Sequence, residues 1–131
     1  MMIFDLLKHP SKKSQEYVFT QAGGFRGFKS YPIVVYGDKE SERNNELLKD
    51  IDMTSKQITF KVGKSPSYEK PFLLVFIDNK KIGAIFDGKQ VRAMTSGSIE
   101  SVYVKFEPEN IVGKDGVITR HRARLFVKYC V

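Results

Sequence analysis

The sequence predicts a mostly β domain: a small barrel or sandwich carrying one or two short helices. Three observations predict it. From residue 56 onward, apolar side chains alternate with polar ones, as in Ile58-Thr59-Phe60-Lys61-Val62 and Val102-Tyr103-Val104-Lys105-Phe106. A period of two marks a strand with one buried face. Turn formers punctuate these runs at Asp78-Asn79-Lys80 and at Gly113-Lys114-Asp115-Gly116. Few stretches carry helical spacing, and many short strands with few helices define a barrel or a sandwich.

The elements follow in order. Ile3, Leu6 and Leu7 stand at helical spacing before His9-Pro10 and predict a short amphipathic helix; Ser11 to Gln15 then reads as an exposed connection. Tyr17 to Thr20 begins a strand that the glycines of Ala22 to Gly27 interrupt. Tyr31 to Gly37, rich in β-branched and aromatic residues, reads as a strand. Asp38 to Asp52 reads as a surface helix with Ser41 as its cap and Leu47, Leu48 and Ile51 as its only apolar stripe. Ile58 to Val62 is a half-buried strand. Pro71 to Ile77 is a buried strand, returning through Asp78-Asn79-Lys80 onto Lys81 to Phe86 as a hairpin. Asp87 to Ser96 holds one or two helical turns, with Val91 and Met94 inward and Gly97 as the stop. Ile99 to Phe106 and the long run Val117 to Val131 complete the strands.

Composition bounds the function. The 131 residues suit a single domain over 1–131, and 41% hydrophobic with 28% charged residues is a globular balance. The longest apolar run, Phe72 to Ile77, is too short to span a bilayer, so no membrane partner is expected. The first residues lack an apolar stretch followed by a small-residue cleavage site, so no signal peptide is expected. The single cysteine, Cys130, excludes an internal disulfide and a multi-cysteine zinc site. It reads as a small apolar filler at a strand end, and a reduced, cytoplasmic setting is the expectation. His9 and His121 are too few for a metal site. His121, on the apolar side of the last strand, reads as a hydrogen-bonded core histidine. No G-x-S-x-G, H-E-x-x-H or P-loop occurs. Asp38, Glu40 and Glu42 read as a solvated charge run, not a catalytic pair. Neither catalysis nor a cofactor is expected.

The net charge is +7 and the isoelectric point near 9.5, which favours an anionic partner, most often nucleic acid. The charge is uneven. Residues 111–131 hold five basic side chains against Asp115, whereas 38–52 hold six acids against three bases.

Three stretches could meet such a partner. In the last strand, Arg120, Arg122 and Arg124 share one face with Phe126 and Lys128. Arginines spaced about 7 Å apart suit successive phosphates, and Phe126 suits a stacked base. The same ladder also reads as a solvated face whose charges guard an edge, with Glu100 and Glu107 of the neighbouring strand as counter-charges. Phe25, Arg26, Phe28 and Lys29, among the glycines of 22–31, offer stacking and phosphate contact, or else a turn whose rings plug the barrel end. Tyr68 and Glu69 precede the most apolar strand. They read either as a site or as a turn with Tyr68 closing the core and Glu69 paired with Lys64 or Lys70. Lys80 and Lys81, at the hairpin turn, add two cations.

Three segments together resemble the HIRAN domain family, small OB-like β-barrels. They are Gly24-Phe25-Arg26-Gly27-Phe28, the run Ser65 to Phe76 with Tyr68-Glu69 at the family's tyrosine-aspartate positions, and Asn79 to Phe86 with Ile82-Gly83 at its valine-glycine pair. The resemblance covers about residues 17–107. Departures are Ala84 where the family often has histidine or an aromatic residue, Gly27 where a stacking tyrosine can occur, Pro71 in place of asparagine, and a long segment before Tyr68. The resemblance implies an OB-like barrel that captures the 3′ end of single-stranded DNA. Tyr68 would stack on the terminal base, Glu69 would accept from the 3′-hydroxyl, and Arg26 would hold a phosphate. The expected function is therefore non-catalytic binding of single-stranded DNA. The alternative is a protein interaction module that uses the exposed basic strand, with nothing in the sequence indicating a homodimer.

Overall fold

The computed structural model describes residues 16–131 apart from Tyr36. The helix expected at Ile3 to Leu7, the connection after it and His9 lie outside the described residues. Seven strands and two helices follow. They are β1 (Glu16–Thr20), β2 (Lys29–Pro32), α1 (Lys39–Leu48), β3 (Gln57–Ser65), β4 (Tyr68–Ile77), β5 (Lys80–Ile85), α2 (Gly88–Thr95), β6 (Ile99–Gly113) and β7 (Gly116–Tyr129). The domain is mostly β, as the sequence predicts. The strands form two antiparallel sheets, ordered β1-β3-β4-β5 and β2-β7-β6, in place of one closed barrel.

The sheets meet at two seams. On one side β2 ends at Pro32, and the chain crosses to the other sheet, where Val34 and Ala84 exchange backbone hydrogen bonds of 2.8 and 2.9 Å. Gly83 makes this approach feasible. Its φ is +146°, and a Cβ there would lie 2.6 Å from the Val34 carbonyl oxygen. On the other side Ala22 N–H donates to Val102 O (3.0 Å), and the Gln21 side chain pairs with the Val104 backbone in both directions, at 3.0 and 2.9 Å. Both seams are too short to continue a ladder, so the shell stays two sheets.

Between the sheets, alternate residues of the strands interdigitate: Ile58, Phe60, Leu73, Val75, Ile77, Val102, Val104, Leu125 and Val127 are buried. Pro71 to Ile77 is buried on one face only. Phe72, Leu74 and Phe76 remain half-exposed, because among the described residues no layer covers the outside of that sheet. Asp78 and Asn79 adopt φ of 47° and 69°, the left-handed pair of a two-residue hairpin turn. Helix α2 is capped by Asp87 and buries Val91 and Met94, and Gly97 (φ +74°) ends it as expected.

Helix α1 departs from the sequence reading. Its cap is Asp38, whose carboxylate accepts from the Glu40 and Ser41 amides, while Ser41 is buried and donates its hydroxyl to Asp38. Leu47 is 58% exposed, and the buried face is Ser41, Asn44, Asn45 and Leu48. The helix rests on strand edges, which present backbone groups, so amides serve it better than hydrocarbon. Asn44 Nδ2 donates to Lys81 O (2.8 Å), Asn45 Nδ2 to Ile82 O (2.9 Å), and Asn45 Oδ1 accepts from Ala123 N (2.9 Å). Helix α1 thereby ties β5 to β7.

The β6–β7 hairpin is paired in register down to Gly113↔Gly116, well past the point where β2 stops. Its end carries Val112, Val117 and Ile118 exposed.

Candidate nucleic-acid interface

The outer face of the β2-β7-β6 sheet is set by register. Ser30, Phe126 and Tyr103 form one row, because Ser30 pairs with Phe126 and Phe126 with Tyr103. Pro32, Arg124 and Lys105 form the next. Directly paired residues in an antiparallel sheet point to the same side, so these side chains share a surface. The loop before β2 adds Phe25. Its ring centroid lies 4.4 Å from Phe126 and 4.7 Å from Tyr103, and the latter two stand edge-to-face at 6.3 Å. All three rings are only half-buried. Phe28 N–H donates to Phe25 O (3.0 Å) across a turn whose third residue, Gly27, has φ +80°. A side chain is disfavoured there, which accounts for the glycine.

Cations flank the rings. Lys105 Nζ sits 5.5 Å from the Phe25 centroid, and Arg124 Nε donates to Ser30 Oγ (3.1 Å). Arg124 and Lys105 face each other as like charges. Such a pair repels unless an anion comes between. Neither cation makes an ion pair among the described residues, and aromatic faces beside such cations are the two components of single-strand binding.

The other arginines of β7 are occupied. Glu42 of α1 lies 2.9 Å from Arg120 and 3.4 Å from Arg122, and Glu109 lies 3.9 Å from Arg122. The expected counter-charges differ: Glu100 pairs with Lys128 at 3.1 Å, and Glu107 makes no ion pair among the described residues. Glu42, read as solvated charge, is the neutralising group, because α1 packs over this part of β7. Lys81 is likewise held, 2.8 Å from Asp38. Partial burial opposes the charged form of Asp38, but hydrogen bonds from Lys81 and Ser41 outweigh it and hold the carboxyl below its ordinary range. Lys80, Arg26 and Lys29 are exposed. Lys29 pairs with core residue Val127, so it lies on the opposite side of β2 from the rings.

His121 is not a core histidine. It sits at the rim, 25% exposed, with Nδ1 3.2 Å from Glu46 Oε1, while its backbone N–H donates to Glu46 Oε2 (2.7 Å). The strand leaves the core before residue 121, so the apolar face ends at Ala123.

Tyr68 belongs to a separate feature at the β3–β4 turn. Its ring packs edge-on against Phe86 and Phe72, with centroids 5.1 and 6.1 Å away, and its hydroxyl donates to Phe86 O (3.3 Å). With Ser65 and Ser67 these rings line a cleft of about 400 Å³. Glu69 is exposed and makes no ion pair with Lys64 or Lys70. Among the described residues no hydrogen bond or ion pair joins Tyr68 or Glu69 to Arg26, and Arg26 does not line this cleft. Ala84 is buried in the Val34 seam.

The structure therefore gathers Phe25, Arg124 and Phe126 of the candidates, and adds Tyr103 and Lys105, which the sequence reading missed. Their signal was present: both occupy the outward positions of β6. What was lacking was the register that sets them opposite Phe126 and Arg124.

Among the described residues no cluster of histidine, cysteine and carboxylates suits a metal ion, and no helix is long and apolar enough to cross a membrane. Compared with family models, curated proteins and solved structures, the chain finds no match.

Proposed function

We propose that this protein is a non-catalytic module that binds single-stranded DNA on the outer face of the β2-β7-β6 sheet. The observation that carries it is the Phe25–Tyr103–Phe126 cluster flanked by Lys105 and Arg124. Bases stack on the rings, and phosphates lie along the cations. The net charge of +7 supports the approach of a polyanion. The HIRAN resemblance adds a second contact, a DNA 3′ end at the Tyr68 cleft with Glu69 accepting from the terminal hydroxyl. Fluorescence anisotropy with a short oligothymidylate, titrated at several salt concentrations, tests the first contact. Phe126→Ala should weaken binding by about 5- to 150-fold, the loss of one stacked base. Lys105→Ala should flatten the slope of log affinity against log salt by about 0.7. Equal affinity of wild type and Phe126→Ala would overturn the platform. A 3′-phosphate that binds as well as a 3′-hydroxyl would remove the end contact.

A second reading rests on different observations. Arg120 and Arg122 are neutralised, and the hairpin end exposes Val112, Val117 and Ile118. Both suit a protein interaction module better than a phosphate track. Absence of any affinity for single strands at low salt would favour it.

A further inference from the structure

Next to the rings, the same face sinks into a groove of about 500 Å³, within the range of small-ligand sites. Its lining is partly apolar, with Ile33, Val35 and Ala123 beside Pro32 and Pro108. Arg124 lines it and also neighbours Phe126 two residues along β7, a step of about 7 Å. A base in the groove would therefore adjoin a base on the rings.

The groove's polar groups have unusual chemistry for a nucleic-acid site. Glu42, Glu107 and Glu109 line it with Arg122 and Arg124, so carboxylates outnumber guanidiniums. Phosphate is disfavoured inside. Glu42 and Glu109 are engaged with Arg122, but Glu107 has no hydrogen-bond or ion-pair partner among the described residues. Among the described residues Arg124 uses only Nε, toward Ser30. An open carboxylate and an open guanidinium fork thus meet in one neutral-base-sized space.

Resting on single-strand binding at the rings, we propose that this groove reads guanine. A carboxylate presents two acceptors and no donor. Guanine alone offers it two adjacent donors, N1–H and the 2-amino group, while its O6 and N7 accept from an arginine fork. Adenine and cytosine set a lone pair beside their amino group on that edge, which faces a carboxylate with repulsion. Thymine offers a single donor between two acceptors. Glu107 takes the donor edge, Arg124 takes O6 and N7, and Pro32, in the same row as Arg124, packs against the ring.

The test uses anisotropy at fixed salt with oligothymidylates carrying one guanine, adenine, cytosine or inosine, moved position by position. One position should bind guanine tighter than thymine by about 5- to 150-fold, the discrimination of a bidentate base contact. Inosine, lacking the 2-amino group, should lose most of that gain. Glu107→Gln should bring the guanine-to-thymine ratio toward one, whichever way overall affinity moves. Tight binding with no base preference, or a preference unchanged in Glu107→Gln, overturns guanine reading and leaves the stacking platform intact. Failure to bind any single strand overturns both.

Discussion

Replacing Asn45 with leucine tests whether helix α1 is held by hydrogen bonds to strand edges. Asn45 is wholly buried, and its amide serves Ile82 O at 2.9 Å and Ala123 N at 2.9 Å, both on buried residues. A bond to Ser41 O at 2.7 Å lies within the helix itself. Leucine matches the size but leaves the two strand groups unpaired. Each orphaned group costs about 1–3 kcal/mol, giving about 2–6 kcal/mol. Burying the leucine returns about 1.5–3 kcal/mol, so at mid-range values, about 4 lost against about 2 gained, the net loss is about 2 kcal/mol. That is a large part of the roughly 5–15 kcal/mol that holds a domain folded. Urea denaturation should show a lower midpoint at unchanged slope, and the Ala123 amide should exchange faster with solvent. A midpoint equal to or above wild type, with Ala123 still protected, would refute the reasoning. It would show that apolar packing alone seats the helix.

Two further outcomes follow from the ion pairs and from a pair of half-buried phenols. Glu42→Gln should release Arg120 and leave Arg122 only its 3.9 Å pairing with Glu109, tightening single-strand binding and steepening its salt slope by about 0.7 to 1.4, which the same anisotropy titrations read. Tyr31 and Tyr129 share a 2.8 Å hydrogen bond; burial, with Tyr129 beside it, pushes the Tyr31 phenol up to about 12. The folded state then holds this proton more tightly than the unfolded chain, whose tyrosines ionise near 10. Stability should be intact below pH 10 and fall as pH rises from about 10 through 12, measured by urea midpoints across that range, and Tyr31→Phe should blunt the fall.

Local pattern carried much of the fold. Alternation at Ile58–Val62 and Val102–Phe106, and the turn at Asp78-Asn79, are properties of neighbours in sequence, so they were legible. Helix α1 was legible as a helix but not for its packing. A hydropathy stripe assumes that a buried face meets hydrocarbon, and Asn44 and Asn45 meet carbonyls and an amide instead. The arginine ladder was legible as a ladder, yet its counter-charge sits about 80 residues away, where only tertiary structure brings Glu42 over β7. Likewise Phe25 reaches Phe126 and Tyr103 across most of the chain. Residue types pointed to stacking; which rings stack together depended on register.

The seam at Gln21 has a mechanical consequence. There the wall between β1 and β6 is fastened by a side-chain amide that imitates one residue of strand, giving and receiving one hydrogen bond with Val104. A backbone rung opens only when a strand peels, whereas this latch opens by rotation about its own single bonds. Two such bonds are worth about 1–3 kcal/mol together. On that side the two sheets are joined by one backbone rung, Ala22 to Val102, and by this amide, whose rotation would leave the ladders within both sheets fully paired.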